Sequence, residues 1–344
     1  MDKRVIFAVA GAGKTTYIID KLEESSRALI VTYTNNNLYN LKKKVIKKLG
    51  HIPEGVRIIS YFSFVYGFCY RPYLSSDLKT TGIIYEPNLN RGARKSEDNY
   101  YLSPSKRLFS NRIALLVQEK GLMDSIRARV SKYYDLFIID EVQDLSAHDF
   151  NLMIQLTSSD VGILFVGDFF QYTYATSRDG NTRRTLHDDI GVYKQQFEQA
   201  GLIVDEKTLI KSRRCSLTTC RFVNDNLGIT IESHSETETE LRELDDSEIE
   251  SIVSNNDIVK LFYDNSSKYN MLSRNWGESK GEDSYNDICI VLNPTTYSKF
   301  IAGTLSSLAG MTKNKLYVAL TRARGNVYFV QQSKLGAYKH PELS

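Results

Sequence analysis

Three short stretches of this 344-residue sequence carry residue types suited to handling phosphate. In the first, Val5 to Thr16 (VIFAVAGAGKTT), an apolar run breaks into small residues and ends in Gly13-Lys14-Thr15. The small side chains of Gly11, Ala12 and Gly13 leave backbone N–H groups open to an approaching phosphate. Lys14 would reach the β- and γ-phosphates, Thr15 would hold Mg²⁺, and Thr16 follows at the same helix start. This is a Walker A signature with Ala8 where the first glycine usually stands. In the second stretch the apolar run Leu136-Phe137-Ile138-Ile139 meets Asp140-Glu141-Val142-Gln143-Asp144. Carboxylates at the carboxyl end of a buried strand suit a Mg²⁺–nucleotide site, with Asp140 binding the metal through water and Glu141 orienting or deprotonating the attacking water. The same pattern can be a plain strand end with a helix N-cap at Asp144 or Ser146, a reading the Walker A stretch disfavours. In the third, the strand Val161 to Val166 ends at Gly167-Asp168-Phe169-Phe170-Gln171, which lets Gln171 face the same crevice.

The elements that must position these groups follow an alternating pattern. After the P-loop, Thr16 to Leu22 reads as a helix, Ala28 to Val31 as a buried strand ending at Thr32-Tyr33-Thr34-Asn35, and Leu38 to Leu49 as a second helix. A Gly50/Pro53/Gly55 break leads into strand Val56 to Ile59 and then Ser60-Tyr61-Phe62-Ser63-Phe64. Alternating strands and helices predict βαβ units and a parallel sheet. The pattern lapses from about Arg71 to Ser131, where one helix is expected over Ser105 to Glu119; this reads as a small insertion domain. Thr208 to Cys215 (TLIKSRRC) opens a second α/β domain, and an acidic stretch follows with a helix expected over Glu240 to Val253. Ile288 to Leu292 is a buried strand just after Gly277-Glu278-Ser279-Lys280-Gly281. Lys315 to Arg324 (KLYVALTRAR) reads as a helix ending in two arginines, and Val327 to Val330 as the closing strand. Arg322 and Arg324 fit either a solvated basic helix end or an arginine aimed at a γ-phosphate.

Composition bounds the class. Apolar content of 42% and charge of 25% describe a globular protein with real cores, and the length allows two domains. The apolar run Val5 to Ala10 is too short for a signal h-region, and no run approaches the roughly twenty residues of a membrane span. A cytoplasmic protein without a membrane partner is expected. Cys69, Cys215, Cys220 and Cys289 form no CxxC pair, so neither a zinc site nor a disulfide framework is suggested. The net charge of +3 is mild, but basic runs stand at Lys42-Lys43-Lys44 with Lys47-Lys48, at Arg91 to Lys95 and at Arg183-Arg184. Each such run suits a solvated face as well as a polyanion contact.

With these segments in place, the chain resembles the superfamily 1 helicases of the UvrD/Rep-like branch. AVAGAGKTT looks like motif I, VTYTNNNL like Ia, ISYFSF like Ib, IIDEVQDL like II, FVGDFFQYTY like III, LIKSRRC like IV, WGESKGED like V and YVALTRAR like VI. The resemblance implies an α/β fold of two RecA-like domains with parallel sheets and small helical insertions. Domain 1A would take residues 1–70 and 132–202, a 1B-like insertion 71–131, domain 2A residues 203–230 and 255–344, and a short acidic insertion 231–254 would replace a full 2B domain. It implies an ATP-dependent, Mg²⁺-requiring single-stranded DNA translocase or helicase that hydrolyses nucleotide in the cleft between the two domains. Lys14 and Thr15 would serve phosphate and Mg²⁺, Asp140 would bind Mg²⁺, and Glu141 would be the base. Gln171 would sense the γ-phosphate, and Arg214 and Arg322 would reach it from the second domain. Thr34, Asn35, Phe62, Ser63, Phe64 and Tyr172 would face single-stranded DNA or a single/double-strand junction; alternate Phe62 and Phe64 also fit core packing at a strand end.

Four departures shape these expectations. The sequence places no glutamine motif ahead of the P-loop strand, and Arg213 stands where relatives carry the base-stacking aromatic, so the nucleotide base is less specified than the phosphates. The DNA-stacking tryptophan after motif III aligns with about Thr176, with Tyr172 and Tyr174 as substitutes. An extra residue in motif V leaves the ribose role open between Glu282 and Asp283. The short piece at 228–273 suits a compact motor, or a DNA-sensing regulatory ATPase subunit that partners a nuclease, as in a Gabija-type antiviral system.

Overall fold

The structure, a computed structural model, describes residues 2–86, 88, 92–173 and 181–340. These fall into two compact units: the described residues of Met1–Phe7, Lys14–Gly167 and Ala175–Asp205, and those of Ala8–Gly13, Asp168–Tyr174 and Glu206–Ser344. Tyr174, Thr176 and Arg91 lie outside the described residues.

The strands of the first unit, in chain order, are β1 (Lys3–Phe7), β2 (Ala28–Thr32), β3 (Val56–Ser60), β4 (Gly82–Ile84), β5 (Arg107–Phe109), β6 (Leu136–Asp140), β7 (Gly162–Gly167) and β8 (Ile203–Asp205). Six of them form one all-parallel sheet in the order β3-β2-β6-β7-β1-β8. Such a sheet is covered on both faces, which is why its strands are continuous apolar runs rather than alternating ones. Every residue of β2 and β7 is buried, and Phe165 of β7 meets Phe137 edge-on and Phe197 of a covering helix. The register matters for chemistry. Asp140 pairs with Thr32 on one side and Val166 on the other, and Phe7 pairs with Gly167, so the ends of four strands are level at the carboxyl edge.

The 71–131 stretch is richer than its sequence suggests. β4 and β5 pair in parallel, and helices run over Arg71–Leu78, Ile113–Glu119 and Met123–Tyr133. The helix expected from Ser105 therefore starts later, because 107–109 is taken by a strand. Before it, Ser63–Tyr70 is a π-helix rather than a strand end.

The second unit holds β9 (Lys211–Ser212), β10 (Glu232–Ser233), β11 (Leu241–Glu243), β12 (Val259–Phe262), β13 (Ser273–Asn275), β14 (Ile288–Leu292) and β15 (Val327–Gln331). Five build a second all-parallel sheet in the order β11-β15-β14-β12-β13. The expected helix over 240–253 divides instead into the edge strand β11 and a short helix Ile249–Ser254. Leu244, Ile249 and Val253 from this acidic stretch pack with Phe262, Val291 and Val330, so its apolar residues belong to the core. The helix expected to reach Arg324 covers Gly310–Leu320 only. Thr321 caps it with its hydroxyl donating back to the Tyr317 carbonyl at 2.7 Å, and both arginines lie beyond the last turn. Trp276 is core, its Nε1 donating to the Leu261 carbonyl. Among the described residues no helix is long and apolar enough to cross a membrane.

Candidate active site and nucleic-acid interface

In the first unit, Lys14 opens the helix Lys14–Asp20 and Asp140 ends β6. Glu141, the next residue, adopts a left-handed backbone at φ 60°, ψ 49°. That turn sends its side chain back toward Lys14, whose Nζ lies 3.5 Å from Glu141 Oε1, with the two side chains 10% and 12% exposed. Gln143 Nε2 donates to the other carboxylate oxygen, Oε2. Glu141 is thus gripped from both sides.

Asp140 is buried, and Thr32 Oγ1 donates to its Oδ2 at 3.4 Å. Its Oδ1 is also buried and has no hydrogen-bond partner. Burial first, then the neighbouring Glu141 charge, pushes the Asp140 carboxyl up to about 7, against a partial offset from Lys14. A buried carboxylate oxygen without a donor is a cost that a cation would remove. The orphaned Asp140 oxygen therefore fits a cation such as Mg²⁺, and the half-buried Thr15 stands next to Lys14 at the start of the P-loop helix.

Two further contacts fix the acidic loop. Gly167 has no side chain because a Cβ there would sit 2.9 Å from Val142 Cγ1 and collide with Gln143 Oε1. Tyr193 donates its hydroxyl to the Val142 carbonyl at 3.2 Å, and His187 Nε2 lies 3.0 Å from the Gln143 carbonyl. Burial pulls the His187 imidazole down to about 4, so it is neutral near pH 7 and its Nε2–H is the donor.

In the second unit the loop 8–13 is tied by its backbone: Val9 N–H donates to the Leu209 carbonyl, Ala10 N–H to the Tyr317 hydroxyl, and Arg213 N–H to the Gly11 carbonyl, at 3.0, 2.9 and 2.9 Å. Gly11 has φ +73°, and a Cβ there would lie 2.7 Å from both Arg214 Cβ and Ser212 Oγ, so the position demands glycine twice over. Arg213 is exposed. Arg214 donates to the Thr321 carbonyl at 3.0 Å and pairs with Asp283. Arg322 is fully buried, with Nε donating to the Val318 carbonyl at 3.1 Å and Nη1 3.6 Å from the same Asp283. Burial, then the Arg214 charge, draws the Arg322 guanidinium down to about 10. Asp283 is committed to two arginines, and Glu282 meets Tyr285 and Arg274, so neither carboxylate stands free for a ribose.

Asp168, Gln171 and Tyr317 form a buried cluster in the same unit. Tyr317 Oη donates to Asp168 Oδ2 at 3.0 Å, Gln171 Nε2 donates to the same oxygen at 2.8 Å, and Phe170 N–H donates to Oδ1 at 3.2 Å. Burial, then the Asp168 charge, raises the Tyr317 phenol well above its usual value, so it stays protonated. One turn earlier on the same helix, Asn314 Nδ2 donates to the Tyr172 carbonyl at 3.0 Å.

The positions expected to meet nucleic acid divide. Thr34 and Asn35 are exposed; Thr34 caps the helix Asn35–Leu49 by accepting from the Asn37 N–H at 3.2 Å. Ser63 is exposed, and Phe62 is half-buried in an aromatic run with Tyr33, Tyr61 and Tyr85 at centroid distances of 5.8, 5.5 and 5.2 Å. Tyr85 is 65% exposed. Two expectations are corrected. Phe64 is fully buried between Phe68 and Phe137, because the π-helix turns it inward, and Tyr172 is only 8% exposed. Neither offers a ring face for stacking. Sequence reasoning passed over Thr32, Gln143, Asp168 and Tyr317, all inside the quoted motifs. Tyr85 and His187 lay outside them, with no signal beyond a solitary aromatic or imidazole.

Residues 2–177 match the family described as an AAA domain, and residues 102–331 match the viral superfamily 1 RNA helicase core domain. The chain belongs to the superfamily 1 helicases. Its two parallel α/β units are the RecA-like domains of this P-loop helicase fold. No curated protein matches the superfamily 1 chain. Similar solved structures include the PRRSV helicase, at 14% identity and a TM-score of 0.48 over 98% of this chain and 54% of that one. Arterivirus nonstructural protein 10 (helicase) in complex with DNA aligns at 13% identity and a TM-score of 0.48, over 95% of this chain and 60% of that one. The chain thus spans little more than half the length of these helicases.

Proposed function

We propose that this superfamily 1 protein is an ATP-driven, Mg²⁺-dependent translocase or helicase acting on single-stranded DNA in the cytoplasm, of the UvrD/Rep-like branch. The observation that carries the reading is the Lys14–Glu141 pair beside Asp140, whose buried Oδ1 has no donor. Asp140 and Thr15 would hold Mg²⁺, which would supply charge neutralisation at the phosphates. Lys14 exchanges its carboxylate partner for a phosphate, and Glu141, released from Lys14 and still held by Gln143, accepts a proton from the attacking water. The backbone of Gly11, Ala12 and Gly13, with Thr16, completes the phosphate cradle. Arg214 and Arg322, both paired with Asp283, are the second unit's proposed groups for nucleotide charge, and the exposed Arg213 is its proposed base-stacking group. Thr34, Asn35, Ser63 and Phe62 contact the strand, and Tyr85 extends that surface.

Charge supports the strand's location. Residues 33–85 carry eight Lys or Arg against two Asp or Glu, whereas the whole chain nets only +3. Aromatic rings beside such a basic segment are the combination that binds single strands without sequence preference. The test is the nucleotide hydrolysis rate with single-stranded DNA, duplex DNA, RNA and no nucleic acid, in wild type and Glu141→Gln. Hydrolysis stimulated by single-stranded DNA at low salt is expected in wild type alone; a rate indifferent to every nucleic acid refutes the motor reading.

A second reading, a regulatory ATPase subunit partnering a nuclease, rests on the acidic stretch after Gly228, in which Glu236 is exposed while Glu232 and Glu238 pair with Lys211 and Arg221. Co-purification with a nuclease, without unwinding by the isolated chain, would select it.

A further inference from the structure

Local chain geometry in the second unit brings two of the four cysteines together. Ser216 caps the helix Leu217–Leu227, its Oγ accepting from the Thr219 N–H at 3.1 Å, so Cys215 precedes the cap and Cys220 is the fourth helical residue. Side chains at these two positions meet across a helix start, ordinarily as an apolar staple. Here both are thiols, and they hydrogen-bond to each other. Cys220 Sγ lies 4.0 Å from the Cys215 carbonyl oxygen. Cys215 Sγ lies 3.7 Å from the Thr321 carbonyl oxygen, which also accepts from Arg214 at 3.0 Å.

The pair differs from the other two cysteines in its surroundings. Burial pushes the Cys69 and Cys289 thiols up, which leaves them inert. Cys215 moves down: the bond from the Cys220 thiol outweighs burial, and Ser212, Arg214 and Arg322 add to the fall. Cys220 is raised by the same bond and by burial. One thiol is set to lose its proton and the other to keep it. The segment lying against them is at the surface. Ser233 Oγ donates to the Cys215 carbonyl at 2.9 Å, the Leu217 N–H donates to the Thr237 carbonyl at 2.9 Å, and His234 to Glu238 are exposed. Local opening of such a surface segment costs far less than global unfolding and admits a small oxidant.

We infer that Cys215 and Cys220 are a site of reversible oxidative modification, closing to an intrachain disulfide that clamps the Arg214-bearing turn onto the start of helix Leu217–Leu227. The oxidant is a hydroperoxide. The Cys215 sulfur, its proton lost, attacks the terminal peroxide oxygen; the O–O bond breaks, an alcohol leaves, and Cys215 becomes a sulfenic acid. The Cys220 sulfur then attacks the Cys215 sulfur, the S–O bond breaks, and hydroxide departs with the Cys220 proton as water. Two thiols are oxidised and one hydroperoxide is reduced. In a reducing compartment the bond is transient and thiol exchange reopens it.

The experiment treats the folded wild-type chain with hydrogen peroxide, counts free thiols, and maps the cross-link by mass spectrometry. Two of the four thiols should disappear, with an intact mass about 2 Da lower, a Cys215–Cys220 cross-linked peptide, and full recovery with dithiothreitol. Amide exchange over residues 212–220 should slow at least about tenfold in the oxidised form, the effect of a closed loop on local opening. Cys220→Ala should stop at a trappable sulfenic acid on Cys215. Thiols that react only after urea unfolding, or cross-links between chains, would overturn the site. Unchanged exchange over 212–220 would overturn the clamp. Should Cys220→Ala unfold, the wild-type thiol count and peptide map decide the question by themselves.

Discussion

Lys14 Nζ and Glu141 Oε1 stand 3.5 Å apart in a nearly buried pair, joining the P-loop helix to the end of β6. Each is the other's counter-ion, so neither is removed alone without consequence. Leaving one member of a largely buried pair uncompensated costs more than the pair itself contributes. Lys14→Ala is expected to abolish nucleotide binding. Glu141→Gln should retain binding and lower the hydrolysis rate by about 10² to 10⁴, the range for loss of a general base. Equilibrium binding of a fluorescent nucleotide beside steady-state hydrolysis separates the two effects.

Gly167→Ala tests the packing of the acidic loop. The added methyl meets Val142 Cγ1 and Gln143 Oε1. Overpacking of this kind costs about 1–3 kcal/mol, and the displaced Gln143 loses its hold on Glu141. Urea denaturation should show the stability loss and hydrolysis should fall with it. Gln143→Ser in the same chain should restore stability without restoring rate.

For nucleic acid, Tyr85 and Phe64 make opposite predictions. Tyr85→Ala should leave the thermal midpoint unchanged and weaken single-strand binding about 5- to 100-fold, the equivalent of one lost stacking contact. Phe64→Ala, buried on Phe68 and Phe137, should destabilise the fold by about 3–5 kcal/mol. Fluorescence anisotropy with a labelled oligonucleotide, repeated across salt concentrations, reports the first. Chemical denaturation reports the second.

His187 predicts a pH dependence of stability. Its folded value of about 4 lies below the ordinary histidine value near 6.5, so between these pH values the unfolded chain takes up a proton that the folded chain refuses. Its contribution is therefore intact above about pH 6.5 and declines as pH falls toward 4, by at most about 1.4 kcal/mol per pH unit. Below 4 it levels off. His187→Gln should flatten that part of the stability profile relative to wild type, as followed by urea midpoints from pH 4 to 7.

What could be read in the sequence was whatever depended on continuous apolar runs. Leu136-Phe137-Ile138-Ile139 had to be a buried parallel strand, and the acids after it had to stand at the carboxyl edge, where Asp140 indeed ends β6. The eight motif strings likewise carried the family. Hidden features depended on short or long-range causes. β11 is three residues, Leu-Arg-Glu, with no apolar periodicity, and only its pairing with β15 makes it a strand. The arginine helix ends at Leu320, and beyond it the Arg324 and Gly325 N–H groups go to the Asn286 carbonyl, a long-range contact that no periodicity reveals. Phe62 and Phe64 alternate as strand residues would, yet a π-helix begins between them and sends one outward and one into the core. Which carboxylate meets which arginine in motif V was likewise undecidable from spacing, and Asp283 takes both.

The left-handed backbone of Glu141 has an evolutionary price tag. A side-chain-bearing residue held there gives up about 1–2 kcal/mol that glycine would not. Glu141→Gly should therefore fold more stably than Glu141→Ala while being equally inactive. Under selection for stability alone the position would drift to glycine, so a carboxylate persisting at 141 across related sequences would itself record selection for turnover, and its loss to glycine would mark lineages in which hydrolysis has been abandoned.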